Sequence, residues 1–243
     1  MKKALAFLSL YLFLSCSTSI STKLVNKSFE KLNDVSKIVV LEENEELPIN
    51  SEFVGDVKIG DSGFTTDCDY NKVISDAKNE AQKAGANLVK VIKLKKPTAL
   101  GSTCYRLKAK MYRNLNDDQL LTLINKRQEK NKSRLPADAD YALIHFYRPV
   151  LGSGALLYYS IKDNNDSVVG KLENGRKFVY KTKKFGDQTF YARLETKEEI
   201  KINVEKGKEY FVRCAIKMGV AVGRPVLDVV ENHKGIEEFN SLK

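Results

Sequence analysis

Eight short runs rich in β-branched and aromatic residues fill the stretch 139–243, at 141–147, 155–161, 168–172, 176–181, 188–194, 200–205, 209–217 and 225–230. Turn residues separate them: Gly152-Ser-Gly154, Lys162-Asp-Asn-Asn-Asp166, Asn174-Gly175, Gly186-Asp187 and Lys206-Gly207. An Asn-Gly pair between apolar strands is the strongest short-range signal of a hairpin, because both central positions of the favoured turn need a positive φ. Several short strands at this spacing predict an antiparallel β-sandwich over 139–243. Adjacent aromatics such as Phe146-Tyr147, Tyr158-Tyr159 and Phe190-Tyr191 place one ring on each face of a strand. One set then fills the core, and the other is left for a binding face or for a neighbouring unit.

Residues 36–113 read differently. Short strands are expected at 36–41 and 53–59, the latter from its alternation of apolar and polar residues. Asp69 is placed to cap a helix over 70–84, with Val73, Ala77, Ala81 and Ala84 on one face at helical spacing. Gly85 ends that helix in a left-handed cap, and Asn87 is placed to bond to backbone near the next strand. Strands at 88–94 and 104–112 follow, with Pro97 and Gly101 between them. The order strand-strand-helix-strand-strand is an α+β unit with its helix on one sheet face. Residues 114–138 form a helical connector. Asn116 caps it, Leu120, Leu121, Leu123 and Ile124 are its apolar residues, and Pro136 is expected to end it.

The start of the chain is a targeting segment. Lys2 and Lys3 precede an apolar run over residues 4–14, the layout of a secretory signal. That run is shorter than the about 20 residues a helix needs to cross a bilayer. Residues 1–15 are therefore expected to leave as a signal peptide. The segment Phe13-Leu14-Ser15-Cys16 resembles the bacterial lipobox, with Phe13 where Leu is usual. The resemblance implies that Cys16 becomes acylated, and residues 16–35, rich in Ser, Thr, Lys and Asn, are then expected to form a lipidated tether. An ordinary cleaved signal followed by an incidental cysteine is the alternative. Ser17 is not the Asp that retains such proteins in the inner membrane, and residues 17–24 lack an acidic surface-export run. The resemblance therefore implies the outer membrane, on its periplasmic side.

Export changes the meaning of the net charge of +10. A basic chain often binds nucleic acid, but an exported one does not meet it. Anionic headgroups, acidic glycans or peptidoglycan suit the charge better. The clusters Lys93-Leu-Lys95-Lys96 and Lys181-Thr-Lys183-Lys184 suit headgroups, or serve simply to protect a sheet edge.

Export also means an oxidising compartment. Cys68 and Cys104 lie in polar, turn-like surroundings, so a disulfide between them is expected, pinning the helix start to the last strand of the α+β unit. Cys214 sits in Tyr210-Phe-Val-Arg-Cys-Ala-Ile216 and reads as a small buried apolar residue. His145 and His233 have no companion at metal-ligand spacing, no Gly-x-Ser-x-Gly elbow occurs, and no cofactor is implied.

Two stretches resemble known families. Asp140-Tyr-Ala-Leu-Ile-His-Phe-Tyr-Arg-Pro149, Val169-Gly-Lys-Leu-Glu-Asn-Gly-Arg-Lys-Phe178, Val204-Glu-Lys-Gly-Lys-Glu-Tyr-Phe-Val-Arg213 and Gly223-Arg-Pro-Val-Leu227 resemble the bacterial domain-of-unknown-function family twenty-eight forty-six. That resemblance covers about 139–232 and implies a small lipoprotein with a β-sandwich and no assigned activity. Thr65-Thr-Asp-Cys-Asp69, Gly85-Ala-Asn-Leu-Val89 and Cys104-Tyr-Arg-Leu-Lys-Ala-Lys110 resemble the core of envelope-stress sensor lipoproteins of the Rcs type, which carries two disulfides where this unit has cysteines for one. The expectation is a membrane-anchored, non-catalytic envelope module that binds a partner protein or wall component. An envelope-stress sensor or regulator, and a hydrolase acting on cell wall or lipid, are the alternatives.

Overall fold

The computed structural model describes residues 18–25, 29–62, 68–97, 102, 104–152, 154–217, 219 and 221–242. The signal segment 1–15 and Cys16 lie outside the described residues. So do Thr65, Thr66 and Asp67 of the quoted motif, Gly101 of the loop and Ser153 of the Gly-Ser-Gly turn. The fold is α+β, with antiparallel-rich sheets that include a β-sandwich.

The first part holds β1 (Ser19–Leu24), β2 (Val39–Leu41), β3 (Glu52–Gly60), α1 (Tyr70–Lys83), β4 (Leu88–Lys95) and β5 (Arg106–Arg113). A five-stranded sheet has the order β1-β3-β5-β4-β2. Asp69 caps α1 by accepting a hydrogen bond from the Lys72 amide. Val73, Ala77 and Ala81 are fully buried against Val57, Ile59, Leu107, Ala109 and Met111. Their small side chains let the helix lie close to the sheet. Gly85 has φ of 71°, and the amides of Gly85 and Ala86 reach back to the carbonyls of Gln82 and Ala81, the paired bonds that close a helix end. Asn87 then donates to the Asn114 carbonyl at 2.7 Å and accepts from the Asn114 amide at 2.9 Å, which ties the helix exit to the end of β5.

β1 corrects the expected tether. Six residues of the segment 16–35 form an edge strand, antiparallel to β3 from Ser19↔Gly60 to Leu24↔Gly55. Its side chains are mostly exposed, so hydrophobic alternation does not reveal it. Polar bonds to α1 hold it instead. The Thr18 hydroxyl donates to the buried Asp76 carboxylate at 2.6 Å, and Thr22 donates to Glu80 at 2.7 Å. A β-carbon on Gly55 would stand 2.4 Å from the Lys23 carbonyl, so glycine permits the close approach of the two strands.

The connector α2 (Asp117–Lys130) is capped by Asn116. It lays Leu120, Leu123 and Ile124 on Leu41 and Leu88, over part of the sheet face opposite α1. It ends at Asn131, whose amide closes onto the Arg127 and Gln128 carbonyls, so backbone closure stops the helix before Pro136 is reached.

The remaining strands are β6 (Ala142–Tyr147), β7 (Tyr159–Asp163), β8 (Val168–Leu172), β9 (Lys177–Thr182), β10 (Gly186–Arg193), β11 (Lys197–Val204), β12 (Glu209–Lys217) and β13 (Arg224–Val230), followed by α3 (Asn232–Asn240). Two four-stranded sheets, β11-β10-β7-β8 and β13-β12-β6-β9, enclose Phe146, Ile161, Phe190, Val212 and Leu227. The sandwich is not wholly antiparallel, because β6 and β12 pair in parallel, Glu209↔Leu143 to Arg213↔Tyr147. The chain leaves β6 for the opposite sheet and does not turn back beside it. The outer face of this pair is covered by α3 and the residues just after it, through Ile236, Phe239 and Leu242 on Tyr147, Phe211 and Val230. This explains why both strands are apolar almost without alternation.

Candidate functional site

The sandwich and the α+β unit meet along a charged, aromatic junction. Cys68 and Cys104 form a disulfide with their Cα atoms 5.1 Å apart. It joins the residue before the α1 cap to the approach of β5, the central strand of the sheet. Tyr70, two residues after Cys68, and Tyr105, next to Cys104, meet edge to face at 5.8 Å. The guanidinium of Arg213, from β12, lies over both rings at 5.2 and 5.5 Å.

Arg213 is itself buried. It donates to both oxygens of Glu238 in α3, at 2.7 and 2.6 Å, and Tyr147 donates to the same carboxylate at 2.8 Å. Burial pushes the Glu238 carboxyl up. The Arg213 bonds and charge, with the Tyr147 bond, outweigh it and leave the carboxyl below its usual range. Burial, and next the Asp69 carboxylate, push Asp228 up to about 7. Burial is also the chief cause that raises Tyr105 to about 12.

A second cluster lies on the other side of Tyr70. Arg127 of α2 reaches the Val40 carbonyl at 2.5 Å, Glu45 at 3.2 Å and His233 Nε2 at 2.9 Å. Lys130 pairs with Glu45 at 2.5 Å. His233 Nδ1 lies 2.9 Å from Asn131 Oδ1, and Nε2 lies 3.1 Å from Glu42 Oε1. The neutral ring accepts from Arg127, and the protonated ring donates to Glu42. Glu42 is held down at about 2, first by the His233 hydrogen bond and then, against the opposing cost of burial, by Lys234, His233 and Arg127. Of these groups, Glu42, Arg127 and Lys234 border a groove of about 730 Å³ between α1, β2, α2 and α3. Tyr70, Ile74, Lys78, Arg127 and Glu237 are among its lining residues. Asp228 does not line it.

His145 lies under α3. It stacks on Phe211 at 4.3 Å, and its Nε2 is 3.2 Å from Glu209 Oε2. Burial lowers its pKa. Arg134 grips Glu209 with Nε at 2.8 Å and Nη2 at 2.9 Å. Among the described residues no group of three or more His, Cys, Asp or Glu side chains is arranged to hold a metal. Cys214 is free and buried, its thiol pushed up by burial. Beside it the fully buried Arg148 donates to the Leu157 carbonyl at 2.7 Å and the Gly154 carbonyl at 2.6 Å, clamping the loop into β7.

The structure therefore brings Cys68 and Cys104 together and separates His145 from His233. Sequence reasoning missed Arg213, Glu238, Arg127 and Glu42. Only Arg213 carried a signal, as a charge in the middle of the apolar run of β12. The others lie in segments that read as ordinary solvated surface.

Comparison with protein-family models, with curated proteins and with solved structures finds no match for the chain.

Proposed function

We propose that the protein is a cell-envelope lipoprotein anchored through an acylated Cys16, in the outer membrane on its periplasmic side. Its α+β unit and sandwich act together as a non-catalytic module that binds an envelope protein or a wall component. The observation that carries this reading is the Phe13-Leu14-Ser15-Cys16 cleavage motif, set only three residues before the first strand, Ser19–Leu24. Such a body is held at the membrane by the acyl chains on Cys16 once the leader has gone. At the junction Glu42, Glu45, Glu209 and Glu238 are each engaged by an arginine, which fits a structural part for these four carboxylates.

Intact-mass analysis of the protein from its native membrane tests the proposal, with and without reductant. Loss of residues 1–15, acyl chains on Cys16 and one reducible bridge are expected. An unacylated mature chain overturns the anchor.

The disulfide gives a second reading, an envelope-stress sensor or regulator, a specific observation in its favour. The bridge holds Tyr70 and Tyr105 under Arg213, so a change of thiol state reaches the contact between the units. If replacing both cysteines lowers stability and leaves envelope signalling unchanged, that reading fails.

A further inference from the structure

The five-stranded sheet has α1 on one face. On the other, the part that α2 leaves open is a block of positive charge. Strand register places Lys58, Lys108 and Lys93 directly opposite one another across three neighbouring strands. In the next row toward the rim Arg106 faces Lys95. On the other side Lys23 faces Asp56, which faces Lys110. Lys23, Lys58, Lys93, Lys95 and Lys108 are exposed. Among the described residues no carboxylate forms an ion pair with these lysines or with Arg106, and Arg106 Nε has no hydrogen-bond partner. A shallow depression of about 370 Å³ opens between Lys58, Lys93, Lys95, Arg106 and Lys108, with Asp61, which accepts from the Ser102 hydroxyl at 2.6 Å, as the one carboxylate among its described lining residues. Like charges placed directly opposite on a sheet repel. This face therefore gains from an anionic partner what it lacks in internal pairing.

The position of β1 says which partner. Ser19 lies on this same face, paired with Gly60 at the rim. Cys16 precedes it by three residues, so an extended link spans at most about 10 Å. That is close to the distance over which charges act at physiological salt. Resting on the lipoprotein reading, we propose that the open face of the β1-β3-β5-β4 sheet docks onto anionic phospholipid headgroups of the membrane that holds the acyl chains. A lipid anchor and a basic patch then act as two linked attachments, the second made intramolecular by the first.

The test uses the chain from residue 16 onward carrying Cys16→Ser, so that no lipid contributes. Its partitioning is measured by co-sedimentation with phosphatidylcholine vesicles, with and without phosphatidylglycerol. Binding to the anionic vesicles alone, with release at high salt, is expected. Each cation at such a surface multiplies partitioning about fivefold, so Lys58→Gln, Lys93→Gln and Lys108→Gln together weaken it by roughly a hundredfold. A charge-matched control, Lys171→Gln, Lys201→Gln and Lys206→Gln on the sandwich, leaves it unchanged. The sheet variant keeps or raises its melting temperature, because repulsion is removed. Equal binding to neutral vesicles, or equal weakening by the two triple variants, overturns the proposal. So does binding to isolated peptidoglycan with no binding to vesicles. Because the probe is unacylated, this result is independent of the mass measurement on Cys16. Vesicle binding without native acylation would leave the basic face standing and remove the anchor.

Discussion

At the scale of single residues, the junction is held by charges that cannot be removed one at a time. Arg213 is buried and paired with Glu238 through two bonds. Glu238→Ala leaves the guanidinium buried without its carboxylate and is expected to cost about 3–5 kcal/mol. Replacing the pair together, Arg213→Met with Glu238→Leu, recovers most of that loss, since apolar residues of similar size substitute well for a buried ion pair. Denaturant unfolding of the unaltered protein and these two variants checks this, and a double variant as unstable as Glu238→Ala would contradict it. Asp228 gives a pH dependence of defined sign. Its folded carboxyl titrates near 7 against an ordinary 3.8, so the folded state holds the proton where the unfolded state has lost it. Stability therefore falls as pH rises from about 4 to about 7 and is level above that. Asp228→Asn removes this slope and raises the melting temperature above about pH 7; an unchanged slope would show that another group sets it. Glu42 acts oppositely. Held at about 2, it contributes stability above about pH 4.5 that is lost as pH falls toward 2.

At the scale of elements, close approaches decide what is tolerated. Gly235 in α3 lies against Phe211, where a β-carbon would stand 2.2 Å from the ring-bearing carbon. Gly235→Ala is expected to lift α3 off the sheet and destabilise by at least the 1–3 kcal/mol typical of overpacking, roughly. A loss below about 0.5 kcal/mol in thermal unfolding would mean that the helix re-seats freely. The elements that sequence made legible are those with a local cause. Asp69 and Asn116 cap their helices and Gly85 ends one. The expected Asn174-Gly175 hairpin does not form: Gly175 turns at φ 73°, but the chain passes from β8 in one sheet to β9 in the other, so the pairing partner is set by the sandwich and not by the turn. The two that it concealed are defined by distant partners. β1 is a polar strand fixed by β3 and by two threonine–carboxylate bonds to α1. α3 has no side-chain cap, and its apolar face finds use only against Tyr147 and Phe211. The same reason hides the site. Arg127, Glu42 and His233 come from three separate segments, and nothing in any one of them signals the other two.

At the scale of the whole molecule, the Cys68–Cys104 bridge closes a span of 36 residues. Cys68→Ser with Cys104→Ser is expected to cost roughly 3–4 kcal/mol by releasing that loop in the unfolded chain. Unfolding with and without reductant checks the value, and a reductant-insensitive midpoint would deny the bridge a stabilising part. The bridge was legible because the polar, turn-like surroundings of both cysteines and the oxidising compartment expected from the leader pointed to it. Its role beneath Arg213 was not, because that depends on how two units lie together. The placement of β1 has a consequence for how such a protein meets anything else. With so short a link from Cys16 to Ser19, an acylated chain has almost no radius in which to swing. Under the proposed acylation of Cys16, its encounters are those of a surface diffusing in two dimensions, and a soluble partner must come down to the bilayer to find it.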